Sequence, residues 1–149
     1  MNYYCLFFFA SCTIFAQDKK SYQKNRNPEG VLVSEGWIED TQKTDYWYSY
    51  HANGKIASKG HYKKGIQEKY WYYYNSEGSL EREGHYTAGL QSNWWVFYTD
   101  QGNIYCKTQY EKNKKNGYCI LYEQEQVSKV EKYKFDEKIA EWTDLDVLE

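Results

Sequence analysis

Segments in which aromatic and polar residues alternate recur along this chain every 24 residues, separated by turns that contain glycine. Four series of positions share the spacing: Gly36, Gly60 and Gly84; Gly54, Gly78 and Gly102; Trp47, Trp71 and Trp95; and Tyr50, Tyr74, Tyr98 and Tyr122. A fixed period of this length is typical of an array built from one supersecondary unit. The pattern therefore predicts a repeat protein.

Each repeat is expected to contribute two β-strands. The first half of each unit reads EGVLVSEGWI at 29–38, NGKIASKGHY at 53–62, EGSLEREGHY at 77–86 and QGNIYCKTQY at 101–110. The second half reads TDYWYSY at 44–50, KYWYYY at 69–74, NWWVFY at 93–98 and GYCILY at 117–122. Short runs of this composition, bounded by Gly, Asn and Asp, favour strands, and no apolar stripe of helical period accompanies them.

Glycine-containing dipeptides at 53–54, 77–78 and 101–102 are predicted hairpin turns, because glycine supplies the positive φ that such turns require. Strands joined by short turns form an antiparallel meander. We therefore predict an all-β fold, an open antiparallel single-layer sheet of about four 24-residue repeats over residues 30–135. Residues 136–149 are expected to form an acidic C-terminal cap or tail. Two interpretations of the segment after Tyr122 stay open: a degraded last repeat, or a short helix that caps the sheet edge.

The first sixteen residues carry no charge and are largely apolar, whereas residues 17–29 are polar and contain the single proline. An apolar stretch of this length is too short to span a bilayer but fits the hydrophobic region of a secretory signal. We therefore predict a signal peptide at 1–16, a polar linker at 17–29, and export to the periplasm or cell envelope. Lipid anchoring at Cys12, within a loose lipobox, and retention of the segment in the core are the alternatives.

The abundance of tyrosine and tryptophan, 18 and 6 of 149 residues, fits a sheet without a second layer. Their rings bury area against cross-strand neighbours while the hydroxyl or indole N–H is expected to reach water. Residues one repeat apart should form rows, one of tryptophans that ends at Cys119 and one of tyrosines. Exposed members of such rows are candidate binding residues: Trp47, Trp71, Trp94, Trp95, Tyr50, Tyr74, Tyr98 and Tyr122.

The repeat unit resembles a MORN repeat, specifically the bacterial antitoxin-like MORN proteins. In that motif an aromatic residue precedes a turn glycine, and Gly-x-Trp with further aromatics follows. Tyr62, Gly65, Trp71 and Tyr74 match it, as do Tyr86, Gly89, Trp95 and Tyr98. Lys69 and Asn93 replace the glycine before Trp, and the fourth unit has Asn113 for Gly and Cys119 for Trp. The resemblance implies a scaffold for protein or lipid contacts.

Two cysteines, Cys106 and Cys119, would remain after removal of the signal peptide, and they lie on consecutive predicted strands. A disulfide between them is topologically feasible in an oxidising compartment, although the inferred register places them on a diagonal. Two small half-buried side chains are the equally good alternative.

Catalytic, metal and nucleic-acid functions find little support. The 19 Lys and Arg nearly balance the 21 Asp and Glu without a basic block, which argues against nucleic acid. His61 and His85 lie in adjacent repeats, two strands apart, too far to share one metal ion. The acidic pairs, such as Glu81 and Glu83, alternate like the surface of a solvated strand. We predict no enzyme activity and no cofactor.

The sequence therefore predicts a non-catalytic, exported repeat scaffold that mediates protein–protein contacts in the cell envelope. The expected partner is another protein. An antitoxin-like neutralising protein and a surface protein that binds a glycan or membrane lipid are the alternatives.

Overall fold

A computed structural model describes residues 19–143, which form eleven strands in a single sheet. The strands are β1 Ser21–Arg26, β2 Leu32–Glu39, β3 Gln42–Tyr50, β4 Ile56–Lys63, β5 Ile66–Tyr74, β6 Leu80–Thr87, β7 Leu90–Tyr98, β8 Ile104–Glu111, β9 Lys114–Glu123, β10 Gln126–Lys134 and β11 Glu137–Trp142. Their order in the sheet is their order in the chain, and every neighbouring pair is antiparallel. The sheet is open, so the predicted all-β meander is confirmed.

Two kinds of turn alternate along the meander as far as β8, after which all connections are two-residue turns. Five-residue loops join β3 to β4, β5 to β6 and β7 to β8, and the glycine predicted in each, Gly54, Gly78 or Gly102, has φ between 82° and 89°. Two-residue turns close the remaining hairpins from β2 onwards. Both residues of each have positive φ, as in Lys64–Gly65 and Gln124–Glu125. This geometry matches the twist of paired strands and accounts for the tight hairpins.

A bulge recurs in β3, β5, β7 and β9, just before the tryptophan or, in β9, before Cys119. Gly60 and His61 are consecutive in β4, but their partners in β5 are Trp71 and Glu68. Strand β5 therefore has two extra residues at this point. The first of the two, Lys69, has a φ of +63°, and its equivalents Asp45, Asn93 and Gly117 also have positive φ. All four units therefore share positive φ at this position, although only the fourth has glycine there.

The pairing of glycine with tryptophan explains why glycine recurs at positions 36, 60 and 84. Gly36 pairs with Trp47, Gly60 with Trp71 and Gly84 with Trp95. A Cβ atom at Gly60 would lie 2.3 Å from the Trp71 ring, and the other two glycines are equally crowded. Each indole thus lies flat across the backbone of the preceding strand, which only glycine permits.

The structure corrects the prediction of a linker over residues 17–29. Ser21–Arg26 form β1, which pairs with β2 along its length, including Tyr22 with Trp37. The segment is polar because β1 is an edge strand with five of its six residues exposed.

The C-terminal region continues the sheet as β10 and β11, which is the degraded-repeat interpretation, and no helix occurs within residues 19–143. This described part accordingly contains no helix capable of crossing a membrane. The predicted signal peptide, Cys12 and the end of the acidic tail lie outside the described residues.

Candidate functional site

The two faces of the sheet carry different chemistry. We call one the tryptophan face, defined by Trp47, Trp71, Trp95 and the side chains that contact them. We call the other the tyrosine face, defined by Tyr50, Tyr74, Tyr98, Tyr122 and their neighbours. Each candidate binding residue predicted from the sequence belongs to one face, and the two sets have very different accessibility.

The tryptophan face buries its indoles. Trp47, Trp71 and Trp95 are 2%, 3% and 0% exposed. The expectation that their N–H groups reach water is wrong, because each indole Nε1 donates to a backbone carbonyl of the preceding strand: Trp47 to Trp37 at 2.7 Å, Trp71 to His61 at 3.0 Å and Trp95 to His85 at 3.1 Å. These three rings therefore present no surface to a ligand.

Tyrosines fill the spaces between the tryptophans. Tyr62 stands edge-on to both Trp47 and Trp71, with ring centroids 6.2 and 5.0 Å away, and Tyr86 does the same between Trp71 and Trp95. Edge-to-face pairs of this kind add about 0.5–1.5 kcal/mol each beyond the area they bury. The rings of this face form one continuous core within a single-layer sheet.

The tyrosine face instead pairs hydroxyls and rings with charges. Tyr50 donates a hydrogen bond of 2.5 Å to Glu35, and Tyr98 donates one of 2.6 Å to Glu83. Lys59 lies 5.4 Å from the Tyr74 ring centroid, and Lys107 lies at the same distance from Tyr122. The charged positions 35, 59, 83 and 107 are again 24 residues apart and alternate in sign.

Burial and these hydrogen bonds raise the pKa of two tyrosines of this row. Desolvation, followed by the bond to Glu35, raises the pKa of Tyr50, and the equivalent environment of Glu83 raises the pKa of Tyr98. In return, the hydrogen bond from Tyr50 holds the pKa of Glu35 below its usual range, although burial opposes the effect. The predicted tyrosine row is thus half-buried and bound to fixed charges.

A second aromatic row on this face follows the bulges. In β3, β5, β7 and β9 the row contains the residue that follows the positive-φ bulge residue. The same 24-residue spacing extends the row to the edge strands β1 and β11. Its members are Tyr22, Tyr46, Tyr70, Trp94, Tyr118 and Trp142. Sequence reasoning singled out only Trp94 among them, although the 24-residue spacing would have found the rest. Trp94 is 37% exposed, Tyr118 42% and Tyr22 45%, whereas Tyr46, Tyr70 and Trp142 are half-buried, so the row is accessible at three of its six members.

Polar and aromatic side chains of the even-numbered strands fill the gaps in that row. Tyr22 stands edge-on to Trp37 at 5.3 Å, Tyr46 to His61 at 4.9 Å and Tyr70 to His85 at 4.7 Å. Gln109 pairs with Trp94, and the Lys132 ammonium lies 5.3 Å from the Tyr118 ring. We call this set of side chains the outer stripe: Tyr22, Trp37, Tyr46, His61, Tyr70, His85, Trp94, Gln109, Tyr118, Lys132 and Trp142.

The histidines of the outer stripe pack against rings. Burial, followed by the nearby Lys69, lowers the pKa of His61, with a smaller opposing effect from Asp45. Across residues 19–143 no three His, Cys, Asp or Glu side chains are grouped so that they could hold a metal ion. A shallow pocket lies between Tyr98 and Tyr122, next to Ile104.

Comparison with known proteins identifies no relative. No protein-family model matches the chain, and no curated protein matches it in sequence.

Proposed function

We propose that this protein is a non-catalytic, exported scaffold whose outer stripe contacts another protein in the cell envelope. The observation that carries the proposal is the exposure of Tyr22, Trp94 and Tyr118 in one aromatic row, whereas Trp47, Trp71 and Trp95 are all buried. The resemblance to MORN repeats supports a scaffold, and the uncharged first sixteen residues support export.

The composition of the outer stripe suits a protein partner. Tyrosine and tryptophan are enriched in protein interfaces, because they supply large contact areas with few rotatable bonds and retain a polar group. Exposed aromatics at Tyr22, Trp37, Trp94 and Tyr118 would serve as anchors.

The charges beside the stripe favour a partner that also carries both signs. Lys24 and Glu35 form an ion pair of 3.1 Å, and Lys59, Glu83 and Lys107 continue the alternation across the face. A polyanion would be attracted by the lysines but repelled by the glutamates. A polypeptide with mixed charges can match both, which contributes to specificity more than to affinity.

Photo-cross-linking in the cells that produce the protein tests the proposal. A photoreactive residue is placed at Trp94 or Tyr118 of the full chain and, as a control, at Leu90, which is 38% exposed and lies on the same strand as Trp94. We expect the same protein to be captured from both stripe positions and not from Leu90, with capture from Tyr118 lost in a Trp94→Ala background. Capture of no protein would reject the protein partner, and equal capture from Leu90 would reject the outer stripe as the contact surface.

A neutral glycan is the second candidate, and the spacing of the outer stripe favours it. Aromatic residues on alternate strands recur about every 9.6 Å, since neighbouring strands lie about 4.8 Å apart. Each sugar of an extended chain advances the polymer by a length close to one strand spacing, so successive aromatic rings of the row could stack on every second sugar. Sedimentation with insoluble neutral polysaccharide, lost in Trp94→Ala but not Leu90→Ala, would favour this candidate.

A further inference from the structure

The fourth repeat replaces the glycine–tryptophan pair of the other repeats by a different pair of residues. Thr108 occupies the glycine position and Cys119 the tryptophan position, and the two face each other across β8 and β9. A larger residue thus replaces glycine exactly where a smaller one replaces tryptophan. A second cysteine, Cys106, lies two residues before Thr108 on the same side of β8.

The two sulfur atoms lie next to each other. Cys106 Sγ is 3.5 Å from Cys119 Sγ, and the Thr108 hydroxyl oxygen is 3.1 and 3.2 Å from the two sulfurs. Cys106 pairs with Leu121 rather than with Cys119, so the cysteines are diagonal neighbours, as the sequence predicts. Both are thiols in this structure, and both are buried. No intervening side chain has to move for the sulfurs to meet.

We propose that Cys106 and Cys119 form an intramolecular disulfide, which joins β8 to β9, when the chain folds in an oxidising environment. The oxidant is a disulfide, either glutathione disulfide or a thiol–disulfide oxidoreductase. One cysteine thiolate attacks it, forms a mixed disulfide and releases the first thiolate of the oxidant. The second cysteine then attacks the mixed disulfide, gives up its proton and releases the other oxidant thiol. Two protein thiols are oxidised and one oxidant disulfide is reduced.

The surroundings assign Cys119 as the attacking thiolate. Hydrogen bonding from Cys106 lowers the pKa of Cys119, and the hydrogen bond donated by the Thr108 hydroxyl and the positive charge of Lys115 act in the same direction, while burial opposes them. The same sulfur–sulfur bond, followed by burial, raises the pKa of Cys106. Cys106 is therefore the resolving thiol, which loses its proton as the mixed disulfide is cleaved.

Burial determines when the exchange can occur. Cys119 is covered by β8 on one side and pairs with Glu131 of β10 on the other, and its side chain is 2% exposed. An oxidant can reach it before β10 joins the sheet or during local opening of the C-terminal strands. In the complete sheet the bond should resist added reductant, because the reductant meets the same barrier.

Refolding in a glutathione buffer tests the bond itself. The full chain is unfolded, reduced and refolded with oxidised glutathione, then unfolded and alkylated. We expect neither Cys106 nor Cys119 to be alkylated or glutathionylated, and the peptide that joins them to be lighter by two hydrogens. Alkylation or glutathionylation of both Cys106 and Cys119 would overturn the proposal. The Cys106→Ser variant should carry one glutathione on Cys119, which shows that the oxidant reached that thiol.

Thermal unfolding provides a second measurement. The bond closes a short loop, so reduction of the wild type should lower its Tm by about 10 °C. Cys106→Ser should melt near the reduced wild type with and without reductant. A wild-type Tm that does not respond to complete reduction would also overturn the proposal.

The state of the cysteines in producing cells depends on the proposed export, and the two can be distinguished. Protein taken directly from cells and alkylated without reductant should contain the bond if the chain is exported. A bond that forms on refolding but is absent in cells would reject export and leave the disulfide assignment intact.

Discussion

The two faces of this sheet use the same residue types in opposite ways. On the tryptophan face, Trp71 lies against the backbone of β4 and donates its N–H to the His61 carbonyl. On the tyrosine face, Trp94 follows its bulge residue directly and remains more than a third exposed. Each buried tryptophan and the aromatic residue just before it in the sequence therefore have different roles. The tryptophan completes the core, and the residue before it belongs to the outer stripe. Accessibility is determined by which face offers a glycine opposite the ring.

The largest difference in stability should appear when one tryptophan on each face is replaced by alanine. Trp71→Ala removes a ring that is 3% exposed and contacts Tyr62 and Tyr86, so it should cost about 3–5 kcal/mol of unfolding free energy. Trp94→Ala should cost about 1 kcal/mol or less. Denaturant unfolding measures both. Equal losses would show that the two faces do not differ as the structure implies.

A methyl group at a glycine distinguishes steric crowding from backbone preference. Gly60→Ala places Cβ 2.3 Å from the Trp71 ring, which should cost about 3 kcal/mol or more, because the indole has nowhere to move. The control is Gly54→Ala, where nothing lies within 4 Å and only the φ of +82° opposes alanine; it should cost about 1 kcal/mol. If Gly54→Ala is the more harmful of the two, the packing argument for the tryptophan face fails.

Replacing a bulge residue should stabilise the protein. Lys69 has a φ of +63°, so Lys69→Gly should raise the free energy of unfolding by about 1 kcal/mol. Asn93→Gly at the equivalent position should gain less, because asparagine tolerates this conformation better than lysine. Thermal unfolding of the two variants side by side provides the comparison, and a loss of stability in Lys69→Gly would contradict it.

The smallest effect concerns pH and the outer stripe. Because the pKa of His61 is lowered in the folded state, its neutral form stabilises the fold. That contribution is complete above the unfolded pKa of about 6.5 and is lost as the pH falls towards the folded value. His61→Gln, which copies Gln109 of the fourth repeat, should therefore lose less stability than the wild type between pH 7 and pH 5. Identical slopes would show that His61 does not contribute.

Much of the fold follows from the 24-residue period, because turn glycines and aromatic rows are local features of each unit. The edge elements were harder to predict for a physical reason. Strand β1 carries a single aromatic residue, Tyr22, and strands β10 and β11 are joined by Phe135–Asp136, a turn of positive φ without glycine. A search for glycine or for apolar alternation misses both, whereas adding 24 to Tyr118 reaches Trp142.

The candidate site was only partly predictable. The aromatic pattern of the sequence makes both Trp71 and Trp94 candidate binding residues, but it does not reveal which side of the sheet each occupies. That information comes from the bulge and from Gly60 opposite Trp71, since the glycine allows one ring to lie flat and leaves the other outside. Spacing identifies the rows, and pairing across strands decides which row is exposed.

Strict pairing of each strand with its neighbours in sequence has a consequence for how the molecule assembles. Each strand pairs only with its neighbours in sequence, so the relative contact order should be low for a β protein and folding correspondingly fast. Any hairpin can act as the nucleus, from which structure spreads towards both ends. A nascent chain can therefore complete each strand as the next turn emerges, without waiting for its C-terminus.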